Sequence, residues 1–484
     1  MIHLSAEPID PRVNMIQSSP ALSRRQWLNT LGAGFGTLAL NGLLAEEAAG
    51  EAKRSDPLAD KLPHFAPKAK RVIMLFMFGG PSHMDSFDPK PKLTQDHGKP
   101  LPFDKPRVLS FPERHGNLVA SPFRFRRRGE SGTAVSELLP NLGECVDDMC
   151  VIRSMHCSNP RHGGAVLEWH TGTDTFIRPS MGSWVTYGLG TENHNLPGYI
   201  TICQSLSQGG ANNFGSAFLP AVYQATPLGH NGVSAKAAKI PFIDPGRNPR
   251  HLQKLELEML SRLARQQSRR TGHDQRMEAR IASFELAFRM QMEAPQVQDL
   301  SKESRQTKEL YGLNDTPTAE FGRQCLLARR FSERGVRFVQ CNSNGWDHHS
   351  SLKSGMTSMC KSIDRPIAGL LKDLKSRGLL NETLVIWGGE FGRTPIAENA
   401  NGRDHNPHGF SMWMAGGGIK PGMAYGRTDD YGYYAVENKV HFHDLHATIL
   451  HLLGFDHTKL TYQYAGRPFR LTDVHGDVVN DVLS

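Results

Sequence analysis

The feature that most constrains this chain is a series of short apolar runs, each ending in a loop rich in glycine or in ionisable residues. The first is "RVIMLFMFGG", Arg71 to Gly80. Unbroken apolarity over the length of a strand requires burial on both faces, which marks the interior of a parallel sheet. Related runs include Val151 and Ile152, "GYITI" (198–202), "VRFVQCNS" and "ETLVIW". The helical pattern "IAGLLKDLKSRGLL" lies between the last two. Strand, helix, strand in that order is a βαβ unit. We therefore expect an α/β fold with a mostly parallel central sheet flanked by helices. "SELLPNLGECVDDMCVIRSM" reads as a helix feeding a short strand, and "FRLTDVHGDVVNDVL" as a final strand or hairpin followed by a short helix.

Between about residues 249 and 296 the pattern changes to charge-rich helix. Leu252, Leu255, Leu263, Ile281, Phe284 and Phe288 recur at helical spacing. This is read as a helical insertion, either a cap over a site or a surface helical pair. The 484 residues are divided into a signal segment (1–50), a linker (51–70) and one α/β domain (71–484).

The formal net charge of +8 is spread along the chain, and "RFRRR" (Arg124 to Arg128) is its one basic cluster. No basic helix or aromatic platform accompanies it, so nucleic-acid binding is not expected. Seven widely spaced cysteines make neither a disulfide framework nor a CxxC zinc pattern.

Near the start, Arg24 and Arg25 precede a weakly apolar, glycine-rich run, Leu28 to Ala45. The run is short for a stable membrane span, and the arginine pair at its head looks like a twin-arginine export signal. Export to the periplasm or medium by the twin-arginine translocase is the expectation, with no stable membrane anchor.

The densest chemistry lies in "GGEFGRTPIAENANGRDHNPHGF", Gly388 to Phe410. It directly follows a strand, where loops of open α/β sheets bind ligands. Glu390 comes first, and Asp404, His405 and His408 follow in what reads as one loop. A second cluster, "NGWDHHS", offers Asp347, His348 and His349 after the preceding strand. The two loops should leave the same edge of the sheet. Carboxylates and imidazoles together suit a divalent metal ion.

The segments "GWDHH", "GGEFGRTP" and "GRDHNP", with "GGPSHMDSFDPKP" at the front, resemble an exported bacterial family known as domain of unknown function 1501. That family is placed within the alkaline phosphatase and sulfatase superfamily. The resemblance runs from about Arg71 to the C-terminus. It implies an alkaline-phosphatase-like core and a metal-dependent hydrolase of phosphate or sulfate esters, acting on an anionic ester substrate such as a polysaccharide ester. One or two divalent ions (zinc, manganese or calcium) are expected. The alternative is a non-catalytic periplasmic metal-binding or scaffold protein of the same fold.

The resemblance implies Asp347 and His349 as metal ligands, with His348 the weaker partner, and Glu390 where the superfamily usually has Asp. Asp404, His405 and His408 would complete the set. "HDLHATILHLLG" resembles the superfamily's late helix, with Asp444 as N-cap, Gly454 as stop and structural histidines. After the first strand the usual acid is replaced by Gly79 and Gly80. One of Ser82, His83 or Asp85 is then expected to reach the site, Asp85 as the better ligand for a hard ion and His83 as the better base or ligand. "CSNPR" (Cys157 to Arg161) is similar to the sulfatase signature, but its proline is one place late. Counting back from Thr171 and Gly172 lands on His162. Formylglycine at Cys157 is therefore not expected. Ser82, Ser158 and His162 are the candidate nucleophiles, and a metal-activated water needs none of them. Arg393 or Arg161 could clamp anionic oxygens, unless Arg393 is a structural partner of Glu390 or Asp404.

Overall fold

The run Arg71–Phe78 forms strand β1 and lies in the middle of a nine-stranded sheet. Its six central residues are all buried, as a strand covered on both faces requires. The computed structural model describes residues 56–104, 114–241, 243, 249–271, 275–399 and 401–484. The export signal proposed over 1–50 lies outside the described residues. Pro57–Ser484 form one compact unit.

In chain order the strands that matter are β2 (His115–Leu118), β3 (Met149–His156), β4 (Tyr199–Gln204), β5 (Thr226–His230) and β6 (Phe338–Asn344). There follow β7 (Thr383–Gly388), β8 (Gly392–Glu398), β9 (Gly402–Asn406), β10 (Phe410–Ala415), β11 (Met423–Tyr425) and β12 (Val440–His441). The central sheet has the order β11-β3-β10-β7-β1-β6-β4-β5, with β12 also paired to β3. Strands β1, β4, β5, β6 and β7 pair in parallel, and β10 alone runs against its neighbours β7 and β3. A mostly parallel sheet flanked by helices is thus present. The helix Leu352–Ser376 makes the crossover from β6 to β7, so the carboxyl ends of β6, β1 and β7 share one edge.

Several local expectations change. The stretch after β7 read as one loop is an antiparallel pair, β8 and β9, extended by β2 into a small three-stranded sheet. The segment before β3 is a 3-10 turn, Leu142–Asp148, rather than a full helix, and the strand it feeds is eight residues long. Helix Phe442–Leu452 is capped by His441, while Asp444 sits at the third helical position and accepts the His441 N–H. Gly454, at φ +85, stops it as expected. A hairpin, Tyr462–Tyr464 with Arg467–Phe469, comes near the end.

The insertion consists of two helices, Arg250–Thr271 and Gln275–Gln298. The second buries Leu286, Met290, Ala294 and Val297. Its Arg289 donates to the His194 carbonyl at 2.8 Å, and its Glu293 accepts from Asn193 at 2.7 Å. Residues 193–194 lead into the start of β4, and the adjacent Glu192 pairs with Arg71 and Arg337 at the starts of β1 and β6. The second insertion helix is therefore anchored at the amino ends of the strands. It is not a cap over a site at their carboxyl ends.

Candidate metal centre

β6 ends at Asn344, and Gly345 and Trp346 carry the chain over the end of β1 to Asp347. The crossing is so close that a Cβ on Gly79 would lie 2.5 Å from the Asp347 nitrogen. Gly79 also has φ +118, a conformation costly for any residue with a side chain. With the glycine in place, its N–H donates to Glu390 at 2.9 Å and its carbonyl accepts from Arg393. Glycine at position 79, after the first strand, thus permits the close approach of the loop that carries Asp347.

Three imidazoles face Asp347. His349 Nε2 lies 3.0 Å and His405 Nε2 3.2 Å from Asp347 Oδ1, while His162 Nε2 lies 3.1 Å from Oδ2. The far nitrogen of each ring is pinned by an acceptor. His162 Nδ1 meets Glu390 Oε1 at 2.6 Å, His349 Nδ1 meets Glu398 Oε2 at 2.5 Å, and His405 Nδ1 meets the Pro160 carbonyl at 2.8 Å. An acceptor at Nδ1 places the proton there and leaves a lone pair on Nε2 of the neutral ring. Three such lone pairs and one carboxylate converge, with His162, Asp347, His349 and His405 offering ligand atoms within 4.8 Å of one another. His162 Nε2 is buried and has no aligned hydrogen-bond partner. Pinned imidazoles around a carboxylate are the donor set of a divalent ion, so the residues present fit one.

The surroundings hold this set in place. Phe391 stacks on His405 with ring centres 4.4 Å apart, and Phe78 stacks on His162 at 5.7 Å. Arg393 is buried and spends its donors on the carbonyls of Gly79, Gly80 and Arg403 and, at 2.6 Å, on Asp347. Asp347 and His349 are the more open members, with side chains 40% and 31% exposed, so the cluster faces solvent on that side.

Burial opposes ionisation of Asp347, but contacts with His162, His349 and His405 and the Arg393 charge outweigh it and hold the carboxyl far below its ordinary range. Burial likewise opposes protonation of His162, yet Asp347 and Glu390 raise its pKa to about 9. His349 is raised chiefly by Asp347. His405, more deeply buried, is lowered to about 4. Without an ion, protons on His162 and His349 balance the carboxylates.

Asp347, His349 and His405, expected from the sequence as ligands, come together here. His162, read there as a nucleophile candidate, joins them as a donor. Glu390 is fully buried behind His162 and positions it. Asp404 lies on the other side of β9, accepting from His115 Nε2 at 2.9 Å, with Oδ1 3.9 Å from His349 Nδ1. His349, Glu398 and Asp404 form a second acidic group, but the His349 nitrogen facing it is already committed to Glu398. This group orients His349 rather than adding a second donor set.

The structure does not bring His408, His83, Asp85 or Ser82 into the cluster. His408 lies beside Tyr433 and Tyr434. His83 Nε2 meets the Gly432 carbonyl at 2.8 Å. Asp85 pairs with Arg403 at 2.9 Å, and Ser82 donates to it at 2.5 Å. His348 is buried, and burial lowers its pKa to about 4. Ser158 lies 3.2 Å from His441. Cys157 is buried with its thiol on the Glu390 carbonyl at 3.4 Å, and burial pushes its pKa up. Arg393 is tied down rather than free to clamp a ligand, whereas Arg161 is exposed. Sequence reading missed His115 and Glu398. Glu398 lay inside the suspect stretch, but only strand pairing shows that it faces a histidine; His115 carried no local signal.

Residues 69–483 match the family described as Protein of unknown function (DUF1501), and the chain belongs to that family. No curated protein matches it. Solved structures similar to it include Ps i-CgsB in complex with k-i-k-neocarrahexaose, at 10% identity and TM-score 0.37, covering 80% of this chain and 72% of that one. The lipoteichoic acid synthase LtaP from Listeria monocytogenes is 11% identical with TM-score 0.35, covering 83% and 77%. The alkaline phosphatase from the Antarctic bacterium TAB5 is 11% identical with TM-score 0.31, covering 81% and 99%.

Proposed function

We propose that this member of the DUF1501 family is an exported, metal-dependent hydrolase of phosphate or sulfate esters, with a core of the alkaline phosphatase and sulfatase type. The observation that carries the reading is the convergence of three Nε2 lone pairs and the Asp347 carboxylate at the carboxyl edge of a parallel sheet. Three imidazoles and one carboxylate suit zinc or manganese and are poor for calcium, which takes oxygen ligands. A divalent ion held there supplies Lewis-acid polarisation of an ester oxygen and of an attacking water.

The chain's own residues do the rest. Glu390 and Glu398 fix the tautomers of His162 and His349, and Arg393 fixes Asp347. Arg161, exposed and adjacent in sequence to His162, would hold anionic oxygens as a fork in this reading. Asp85, Ser82, His83 and His408 have no part in this reading. The arginine pair Arg24–Arg25 before an uncharged run supports export by the twin-arginine translocase.

The test is metal content of the purified chain together with turnover of aryl phosphate and aryl sulfate esters. Bound zinc or manganese with metal-dependent turnover of either ester is expected. Bound metal with no turnover over a broad ester panel would replace the hydrolase by a metal-binding scaffold, and no bound metal would remove both.

A further inference from the structure

A second concavity, a cleft of about 640 Å³, opens beside the cluster. Its lining comes from three separate stretches: the start of helix Phe442–Leu452, residues 457–458, and residues 470–477. Ser158 closes one side of it. The same loop carries the Pro160 carbonyl that holds His405, and then His162. Four residues cannot span more than roughly 14 Å, so the cleft begins within that distance of the metal donors.

Four of the polar side chains in the cleft keep unused donors or acceptors. His457 is only 9% exposed, and its Nδ1 is bonded to Thr472 Oγ1 at 2.9 Å. Its Nε2 has no partner among the described residues. Arg470 uses Nε on the Asp473 carbonyl, and no other donor of its guanidinium is bonded among the described residues. Asp477 bonds through its backbone N–H, to Asp444, and its carboxylate is free among the described residues. His475 stacks on His443, ring centres 5.0 Å apart, and its ring has no hydrogen-bond partner among the described residues.

Chemistry narrows what such a cleft can hold. Burial lowers the pKa of His443 and of His457, so both rings are neutral at neutral pH. The fixed charges of the cleft are one guanidinium and two carboxylates, Asp444 and Asp477, a balance that does not favour a bare anion. Among the described residues, no three of the histidines and carboxylates here fall within one ion's reach of each other, unlike those of the cluster. The lining is too polar for a hydrocarbon group. What remains is a neutral ligand of small-molecule size, rich in hydroxyl groups that both donate and accept.

We propose that the cleft is a subsite for a sugar unit, with Arg470, Asp477, His457 and His475 hydrogen-bonding its hydroxyls, so that the ester substrate is a carbohydrate longer than one unit. The assignment of the ester rests on the function proposed above; the sugar-binding cleft itself does not.

Calorimetric titration of the purified chain with neutral and sulfated galactan, glucan and mannan tetrasaccharides tests it. At least one tetrasaccharide should bind, and Arg470→Ala, Asp477→Asn and His475→Ala should each weaken it about tenfold, the loss of one well-placed hydrogen bond. His475→Ala removes no internal hydrogen bond, so it stays informative if the other two variants misfold. On the same ester borne by an aryl group and by the tetrasaccharide, these changes should raise KM for the tetrasaccharide alone. A neutral tetrasaccharide should bind equally with and without a metal chelator, which separates the cleft from the metal centre. No binding by any tetrasaccharide, binding indifferent to all three substitutions, or competition by inorganic phosphate or sulfate against a neutral tetrasaccharide would overturn the proposal.

Discussion

Two aspartate–arginine pairs use arginines from adjacent strands of the same small sheet, and they have opposite characters. Asp85 and Arg403 meet at 2.9 Å with neither side chain exposed. Arg403 spends its other donors on the Thr394 and Val119 carbonyls, and Ser82 donates to Asp85. Asp347 and Arg393 meet at 2.6 Å, but Asp347 is 40% exposed and faces three imidazole lone pairs. The first pair is closed and joins the loop after β1 to β9. The second is open toward solvent and surrounded by donors whose far atoms are pinned. A buried charge marks a site when ligand-seeking atoms converge on it, not merely when it is buried.

The largest effect should come from breaking the closed pair. Asp85→Ala leaves the Arg403 guanidinium buried and unpaired, at a cost of about 3–5 kcal/mol in unfolding free energy. Denaturant titration reads the loss, and the metal bound per folded molecule should stay unchanged. A fall in metal stoichiometry of the folded fraction would place Asp85 in the site after all.

Asp347→Ala should reverse that pattern. Metal affinity is expected to drop at least about a hundredfold, since the three imidazoles cannot complete the shell of the ion. The metal-free variant should remain folded, because a chain of this length buries a core that owes nothing to an ion. Equal metal affinity in parent and variant by competition with a chelator would reduce Asp347 to an ordinary ion-pair partner.

Glu390→Gln and Glu398→Gln sharpen the contrast further. Each touches a ring nitrogen that faces away from the donor set, so each should weaken metal binding about 10–100-fold without abolishing it. If either is as severe as Asp347→Ala, that glutamate binds the ion directly.

The most gradual effect is in pH. His162 has its pKa raised to about 9 in the metal-free chain, so below that pH an incoming ion must displace a proton. Affinity should therefore rise with pH, by up to about tenfold per unit, and level off above about 9. Affinity flat between pH 6 and 9 would mean that His162 is not a ligand.

Much of this was legible beforehand. The apolar runs identify β1, β6 and β7 because a strand buried on both faces tolerates little else, and the crossover helix forces their loops to one edge. Asp347, His349 and His405 fall at that edge, together with His348, Glu390, Asp404 and His408. His408 and Asp85 looked equally suitable as residue types, and His162 looked like a nucleophile's position. The stretch after β7 was the hardest to read. As a loop it would have sent Asp404, His405 and His408 to one place. As strand β9, it turns Asp404 and His405 to opposite sides.

The sequence by itself thus determined the α/β architecture and which edge of the sheet carries the chemistry, because these depend on local periodicity and on the handedness of crossovers, while motifs such as "GWDHH" and "GRDHNP" carried the family. Tertiary structure alone decided which ionisable groups converge. It paired Asp85 with Arg403, set Glu390 and Glu398 behind His162 and His349, and turned His405 toward Asp347. Those outcomes depend on approaches of a few ångströms between segments up to about three hundred residues apart in the chain, such as Gly79 with Glu390. No pattern within any one segment encodes them.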